Sequence, residues 1–263
     1  MKTNYFLEGP AKAPVVVMAH ALGATLRLWD AQAAALDDRY RVLRYDVRGH
    51  GESEVPPGPY TVEQMVADLR ALLESLGIFE VHFVGLSMGG CIGMALASAA
   101  PDVVASLVLC DTTPCYGPEA KPRWDERIRI AETQGMTGDL IEKTMEIWFT
   151  PGFRARQRGA VDRVRAMLRH TDPRGYAAAV RALGVVDLRA SLRAIRCPTL
   201  VVVGEQDPGT TPAMARGIHE SIAGSRLLVI PGAMHCSVVE AADVFNRALL
   251  EFLAPPDLPP TPA

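Results

Sequence analysis

Residues 81–100 read VHFVGLSMGGCIGMALASAA. A short run of β-branched and apolar residues gives way, without a linker, to a small-residue helix. At the junction stands Gly85-Leu86-Ser87-Met88-Gly89, a G-x-S-x-G pattern. In a strand-to-helix elbow of this kind the serine adopts a strained backbone, glycines two positions away remove the Cβ atoms that would collide, and the hydroxyl projects from the end of the sheet. The following helix aims its unpaired N–H groups and positive dipole end at the same spot. Ser87 is therefore the candidate nucleophile. The competing reading, a serine that only caps its helix, requires a side-chain bond to the first turn.

Comparable apolar runs occur at 15–20 (VVVMAH), 40–47 (YRVLRYDV), 105–111 (ASLVLCD), 199–207 (TLVVVGEQD) and 226–232 (RLLVIPG). They are continuous rather than alternating, as expected of strands covered on both faces in a mainly parallel sheet. Between them lie helical stretches such as Val62, Met65, Val66, Leu69, Leu72 and Leu73 at 3.6 spacing, with Thr61 placed to cap. The pattern predicts an α/β fold with an open, doubly wound sheet that binds ligands beyond the carboxyl ends of its strands. No such run occurs between 112 and 197, where Pro and Gly punctuate amphipathic segments. The expected organisation is a core of residues 1–113 and 187–254, a helical lid at 114–186 inserted after the strand ending near Asp111, and a Pro-rich tail, 255–263, that is frayed or extended.

The 263 residues are 49% hydrophobic and 22% charged, which points to a packed globular chain rather than a disordered one. A net charge of -3 argues against a nucleic-acid partner. Neither a signal-peptide stretch nor an apolar run of about 18 to 20 residues is present, so the expectation is a cytoplasmic protein with no membrane partner. Five cysteines without CxxC spacing argue against a disulfide framework and a zinc site, and Cys91, Cys110 and Cys197 read as small core residues.

A serine hydroxyl needs a base to take its proton. In chains with this elbow the order is Ser, acid, His, which restricts the base to His170, His219 or His235. His235 follows the Val229-Ile230-Pro231-Gly232 strand end and is the choice; His219 lies on an amphipathic helix and His170 in the lid. Asp207 and Asp111 both end strands and compete as the acid. Asp207 is favoured because Pro208-Gly209-Thr210-Thr211-Pro212 forms a turn that frees its carboxylate; Glu205 reads as solvated. The backbone N–H of Met88 and that of Leu22, in His20-Ala21-Leu22-Gly23, are the expected oxyanion donors. His20 reads as a structural hydrogen-bonder.

HALG (20–23), RGHGES (48–53), GLSMGG (85–90), GEQD (204–207) and GAMH (232–235) together resemble the α/β-hydrolase superfamily. LRLWD (26–30), VLRYDVRGHGESEVPPGPYTVEQM (42–65), WFTPGFR (148–154) and TDPRGYAAAVRAL (171–183) are similar to the 3-oxoadipate enol-lactonases over nearly the whole chain. Against that family's pattern, His20-Ala21 stands where Asn-Ser is usual, Cys236-Ser237-Val238 replaces Leu-Ser-Asn after the histidine, and Asp111 replaces an Asn more often found there. The N-terminus reads as one strand short.

The resemblance implies hydrolysis of a small carboxylated lactone, 3-oxoadipate enol-lactone above all, by an acyl-enzyme route that needs no metal and no cofactor. The alternatives are a general carboxylesterase, another lactonase such as one for acyl-homoserine lactones, and a ligand-binding receptor on the same fold with slow turnover. Residues 121–181 carry 13 Lys and Arg against 8 Asp and Glu, which suits a small anionic lactone or ester. Arg27, just after the oxyanion loop, is the expected carboxylate anchor.

Overall fold

The computed structural model describes residues 1–36 and 38–254; the tail expected at 255–263 lies outside the described residues. Its strands are β1 (Tyr5–Glu8), β2 (Val15–Ala19), β3 (Arg41–Tyr45), β4 (Val81–Leu86), β5 (Val104–Cys110), β6 (Thr199–Gly204) and β7 (Arg226–Ile230). They form one sheet in the order β1-β3-β2-β4-β5-β6-β7. Six strands match the apolar runs. β1 is an additional edge strand, antiparallel to β3. Its four residues, YFLE, exposed at both ends and half-buried between, carry too little apolar signal to stand out. All other neighbours are parallel.

Alternate residues of each strand serve two cores. On one face Val17, Leu43, Phe83, Leu107 and Val201 pack against α2 (Val62–Ser75), α3 (Met88–Ala99) and α9 (Pro212–Ser221). On the other, Val16, Met18, Val84, Val108 and Val202 pack against α1 (Asp30–Leu36) and α11 (Ala242–Leu253). α2 shows how local chemistry sets an element. Thr61 and Gln64 form a reciprocal capping box, and the six apolar positions at helical spacing are all buried. Burying each such side chain stabilises by about 1.5–3 kcal/mol.

Between β5 and β6 the chain makes a helical excursion: α4 (Lys121–Gln134), α5 (Gly138–Trp148), α6 (Pro151–Arg156), α7 (Arg158–His170) and α8 (Pro173–Val185). It leaves and returns at one neck, where Cys115 bridges Asp187 and Leu188 N–H donates to Pro114. α4 and α8 extend the first core, α5 and α7 the second. Ser237–Glu240 (α10) follows β7. Among the described residues no helix is long and apolar enough to cross a membrane. Cys91 and Cys110 are buried, whereas Cys197, expected in the core, is half-buried.

Candidate active site

The strand order reverses about β2, which has β3 on one side and β4 on the other. Loops at the carboxyl ends of neighbouring parallel strands diverge there and leave a crevice. Ser87 stands at that end of β4 with φ 54° and ψ -110°, a left-handed conformation costing about 1–3 kcal/mol for a non-glycine residue. Surrounding bonds hold it: Ser87 N–H donates to Cys110 O (2.9 Å) and Thr112 Oγ1 donates to Ser87 O (2.7 Å). A Cβ on Gly85 would lie 2.3 Å from Gly89 O, and one on Gly89 would lie 2.1 Å from Ala19 O. Only glycine lets strand, elbow and helix approach this closely. The Ser87 side chain makes no capping bond to α3, so the helix does not use the hydroxyl.

His235 and Asp207 come together from the loops after β7 and β6. His235 Nδ1 lies 2.8 Å from Asp207 Oδ2. The Asp207 carboxylate also accepts from Gly209 N–H (2.7 Å), Thr210 N–H (3.0 Å) and the Thr210 hydroxyl (2.5 Å). Burial disfavours the charge on Asp207, but His235 and the Thr210 bonds outweigh it and hold the carboxyl below its ordinary range. For His235, burial works against imidazolium and Asp207 works for it. Asp207 prevails, and the imidazole is raised above its ordinary value.

Ser87, His235 and Leu22 line one cavity roofed by residues of the excursion: Arg123, Trp124 and Arg127 from α4, Thr144, Ile147 and Trp148 from α5, and Leu183 from α8. The hydrogen bonds of the described residues include none between Ser87 Oγ and His235. Such contacts commonly tighten only when substrate binds. His219 instead faces Ser225, and His170 caps back onto Ala166 O. Glu205 is exposed and accepts from Gly232 N–H.

Of the two expected oxyanion donors, Met88 opens α3, so its N–H is among the first-turn donors with no acceptor within the helix. The His20 ring fixes the other peptide. Nε2 accepts from Val47 N–H (3.0 Å), which leaves Nδ1 as the donor to Ala21 O (2.8 Å). Ala24 N–H also donates to Ala21 O. In a trans peptide C=O and N–H point opposite ways, so this pinning turns the Leu22 N–H away from His20.

Two site residues carried no motif in the sequence. Tyr116, just beyond the neck, lines the cavity; burial raises its phenol, so it stays protonated. Thr210 braces both Asp207 and His235 Nδ1 (3.1 Å). Its signal was the turn after Asp207.

Arg27 must be reassigned. The 3-10 turn Leu26–Trp29 buries Leu26, Leu28 and Trp29, which leaves Arg27 facing outward, its guanidinium 4.5 Å over the Phe6 ring of β1 and 3.9 Å from Asp30. It does not line the cavity. Arg165, Arg174, Arg181 and Arg129 of the excursion are held at the surface by acids of the same segment, Glu142 and Asp162, Asp172, Glu132 and Glu126 respectively, so these four do not line the cavity although the segment keeps its net positive charge. Among the described residues no cluster of three or more His, Cys, Asp or Glu is placed to hold a metal ion.

The chain belongs to the α/β hydrolase fold family, whose model matches residues 14–242. It is an enzyme of the hydrolase class. Within that family it stands with the enol-lactonases: it is 37% identical to 3-oxoadipate enol-lactonase 2 of Acinetobacter baylyi over 94% of this chain and 91% of that protein. The crystal structure of the enol-lactonase from Burkholderia xenovorans superposes with a TM-score of 0.91 at 39% identity, covering 95% of this chain and 96% of that one. A thermophilic esterase from Thermogutta terrifontis, solved with malate bound, has a TM-score of 0.89 at 31% identity, covering 95% and 92%.

Proposed function

We propose that the chain opens a small carboxylated enol-lactone, 3-oxoadipate enol-lactone above all, with Ser87 as nucleophile, His235 as base and Asp207 as the acid that orients it. One observation carries the substrate class. The cavity that holds Ser87 and His235 also holds Arg127, which has no carboxylate partner among the described residues. Arg127 donates to Tyr176 OH (2.6 Å) and Thr144 Oγ1 (3.3 Å), which leaves further guanidinium N–H groups free against apolar walls. A half-buried cation beside Trp124, Ile147, Trp148 and Leu183 matches a small organic acid with an apolar body. Two of the similar proteins named above are enol-lactonases, and the third was solved with a dicarboxylate, in keeping with that class.

In this mechanism Ser87 Oγ attacks the lactone carbonyl while His235 takes its proton, and the oxyanion sits between the Leu22 and Met88 N–H groups. Collapse breaks the ring C–O bond and expels an enolate, which takes the proton held by His235 and becomes a ketone, leaving the imidazole neutral again. Water, deprotonated by His235, then attacks the acyl-enzyme and releases Ser87. The helices α4, α5 and α8 act as a lid that keeps bulk water from this sequence.

The base must be neutral, and Asp207 raises its pKa, so kcat/KM is expected to rise with pH through an apparent pKa above 6.5. A limb below 6.5 would mean that the imidazole does not feel Asp207. Arg127→Ala is expected to lower kcat/KM for the enol-lactone about ten-fold or more, since losing a hydrogen bond to a charged group costs roughly 1.5–3 kcal/mol. A short neutral p-nitrophenyl ester should change little, and Arg27→Ala should affect neither substrate. If wild-type activity on the enol-lactone is no better than on the neutral ester, the general carboxylesterase reading replaces this one.

A further inference from the structure

A second carboxyl group lies beside the candidate triad. Asp111 follows β5, is fully buried, and has φ 41°, a strained conformation for a non-glycine residue. Its N–H donates to Val202 O (2.9 Å), its Oδ1 accepts from Gly204 N–H (2.7 Å), and its Oδ2 lies 2.5 Å from Ser237 Oγ. Gly204 ends β6, and Ser237 stands two residues beyond His235 at the start of α10. One side chain thus joins two strand ends to the loop that carries the imidazole.

The titratable groups that act on it or feel its charge are Asp207, His235, Cys110 and Cys236. Burial raises both thiols well above their ordinary range, so neither is charged. Among the described residues no Lys or Arg pairs with Asp111. Two carboxylates facing one imidazole disfavour each other's ionisation, and the charge settles where more donors meet it. Asp207 receives four donors, His235 Nδ1, the Thr210 hydroxyl and two backbone N–H groups; an ionised Asp111 would receive two, the Gly204 N–H and the Ser237 hydroxyl.

We propose that Asp111 is a neutral carboxylic acid and a positioning residue, tying the β5 and β6 ends to the His235 loop without adding a second negative charge beside Asp207. Its carbonyl oxygen takes the Gly204 N–H and its hydroxyl donates to Ser237 Oγ. This donor–acceptor pair is the one a carboxamide offers in the same shape. Burial, reinforced by Asp207, pushes the carboxyl up to about 8. The activity arm of the test rests on His235 being the base; the spectroscopic and melting arms do not.

Infrared spectra of the full chain should contain a protonated-carboxyl C=O band at neutral pH that fades as pH rises through about 8 and is absent from Asp111→Asn. The stability sign follows. A carboxyl raised in the folded state contributes stability below its unfolded pKa, and loses it as pH rises through the folded one. Asn does not titrate, so at pH 8 the Tm of Asp111→Asn should exceed the wild-type value by about 4 °C or more. At pH 7 the variant should keep kcat/KM within about two-fold with an unchanged acid limb, because removal of a real negative charge next to His235 would move that limb by about one unit or more. Asp111→Ala, which provides neither donor nor acceptor, should lose Tm and kcat/KM, and Asn should restore both. Absence of the band in the wild type, a downward-shifted acid limb in Asp111→Asn, or a loss beyond about ten-fold in that variant overturns the proposal. Should Asp111→Asn fail to fold, the wild-type band and its pH dependence decide the matter alone.

Discussion

Ser87→Ala is expected to reduce kcat by on the order of 10⁵ to 10⁶, because a nucleophile and its base act as a unit and neither works alone. The same change should leave Tm nearly untouched. The Ser87 hydroxyl makes no capping bond to α3, and what holds the elbow is backbone: Ser87 N–H to Cys110 O, and Ser87 O from Thr112. Alanine keeps both, and with them the strained φ. A phosphonate ester should form its adduct on the peptide containing Ser87 in the wild type and on no peptide in the variant, as read by mass spectrometry. The cysteines make this a sharp test. Burial pushes the Cys91 thiol up to about 12, and holds Cys110 and Cys236 well above their ordinary range, so these thiols have almost no thiolate to compete with. Labelling at a cysteine would refute the assignment of Ser87.

Asp207→Asn is expected to lower turnover by about 10⁴ while the protein stays folded, as replacement of an orienting acid does in other triads. An amide at 207 can turn its NH2 toward His235 Nδ1, which favours the tautomer that cannot accept the serine proton. Thr210 limits the structural damage, since its N–H and that of Gly209 still find the remaining oxygen. Asp111→Asn is the matched control, with the same atoms exchanged one strand away. If its loss is the greater of the two, the acid comes from β5 rather than β6, and the roles of the two carboxyls exchange.

Choosing between those carboxylates shows where sequence reading stops. Both aspartates end apolar strands, and only the turn after Asp207 distinguished them. What separates them in space is backbone direction. At Asp111 φ is 41°, and the side chain turns into the sheet to meet Gly204 N–H and Ser237; Asp207 lies in a turn that presents its carboxylate to a histidine 28 positions away. Arg27 illustrates a compound miss. Without β1, whose four residues have no continuous apolar run, nothing in the sequence places Phe6 beneath that guanidinium. Adjacency in the chain to the loop after β2 therefore does not carry over into adjacency to the cavity. Arg127 lies 40 positions from Ser87 and reaches the cavity only because α4 folds back over the strand ends.

By itself the sequence determined whatever is written between covalent neighbours: six of the seven strands, from continuous apolar runs; α2, from its capping box and 3.6 spacing; and the elbow, because Gly85 and Gly89 are spaced to let backbone pass backbone at Ser87. Chain order among three histidines was enough to select His235, which the structure places in the same cavity as Ser87. Only the tertiary structure decided which carboxyl meets the imidazole, that Arg127 and not Arg27 lines the cavity, and that Tyr116 and Thr210 stand at the site. The physical reason is that local propensity fixes dihedral angles over a few residues, whereas a side chain's partner depends on the summed path of the chain between them. The burial and fields that tune Asp207 and His235 arise only once that path has closed.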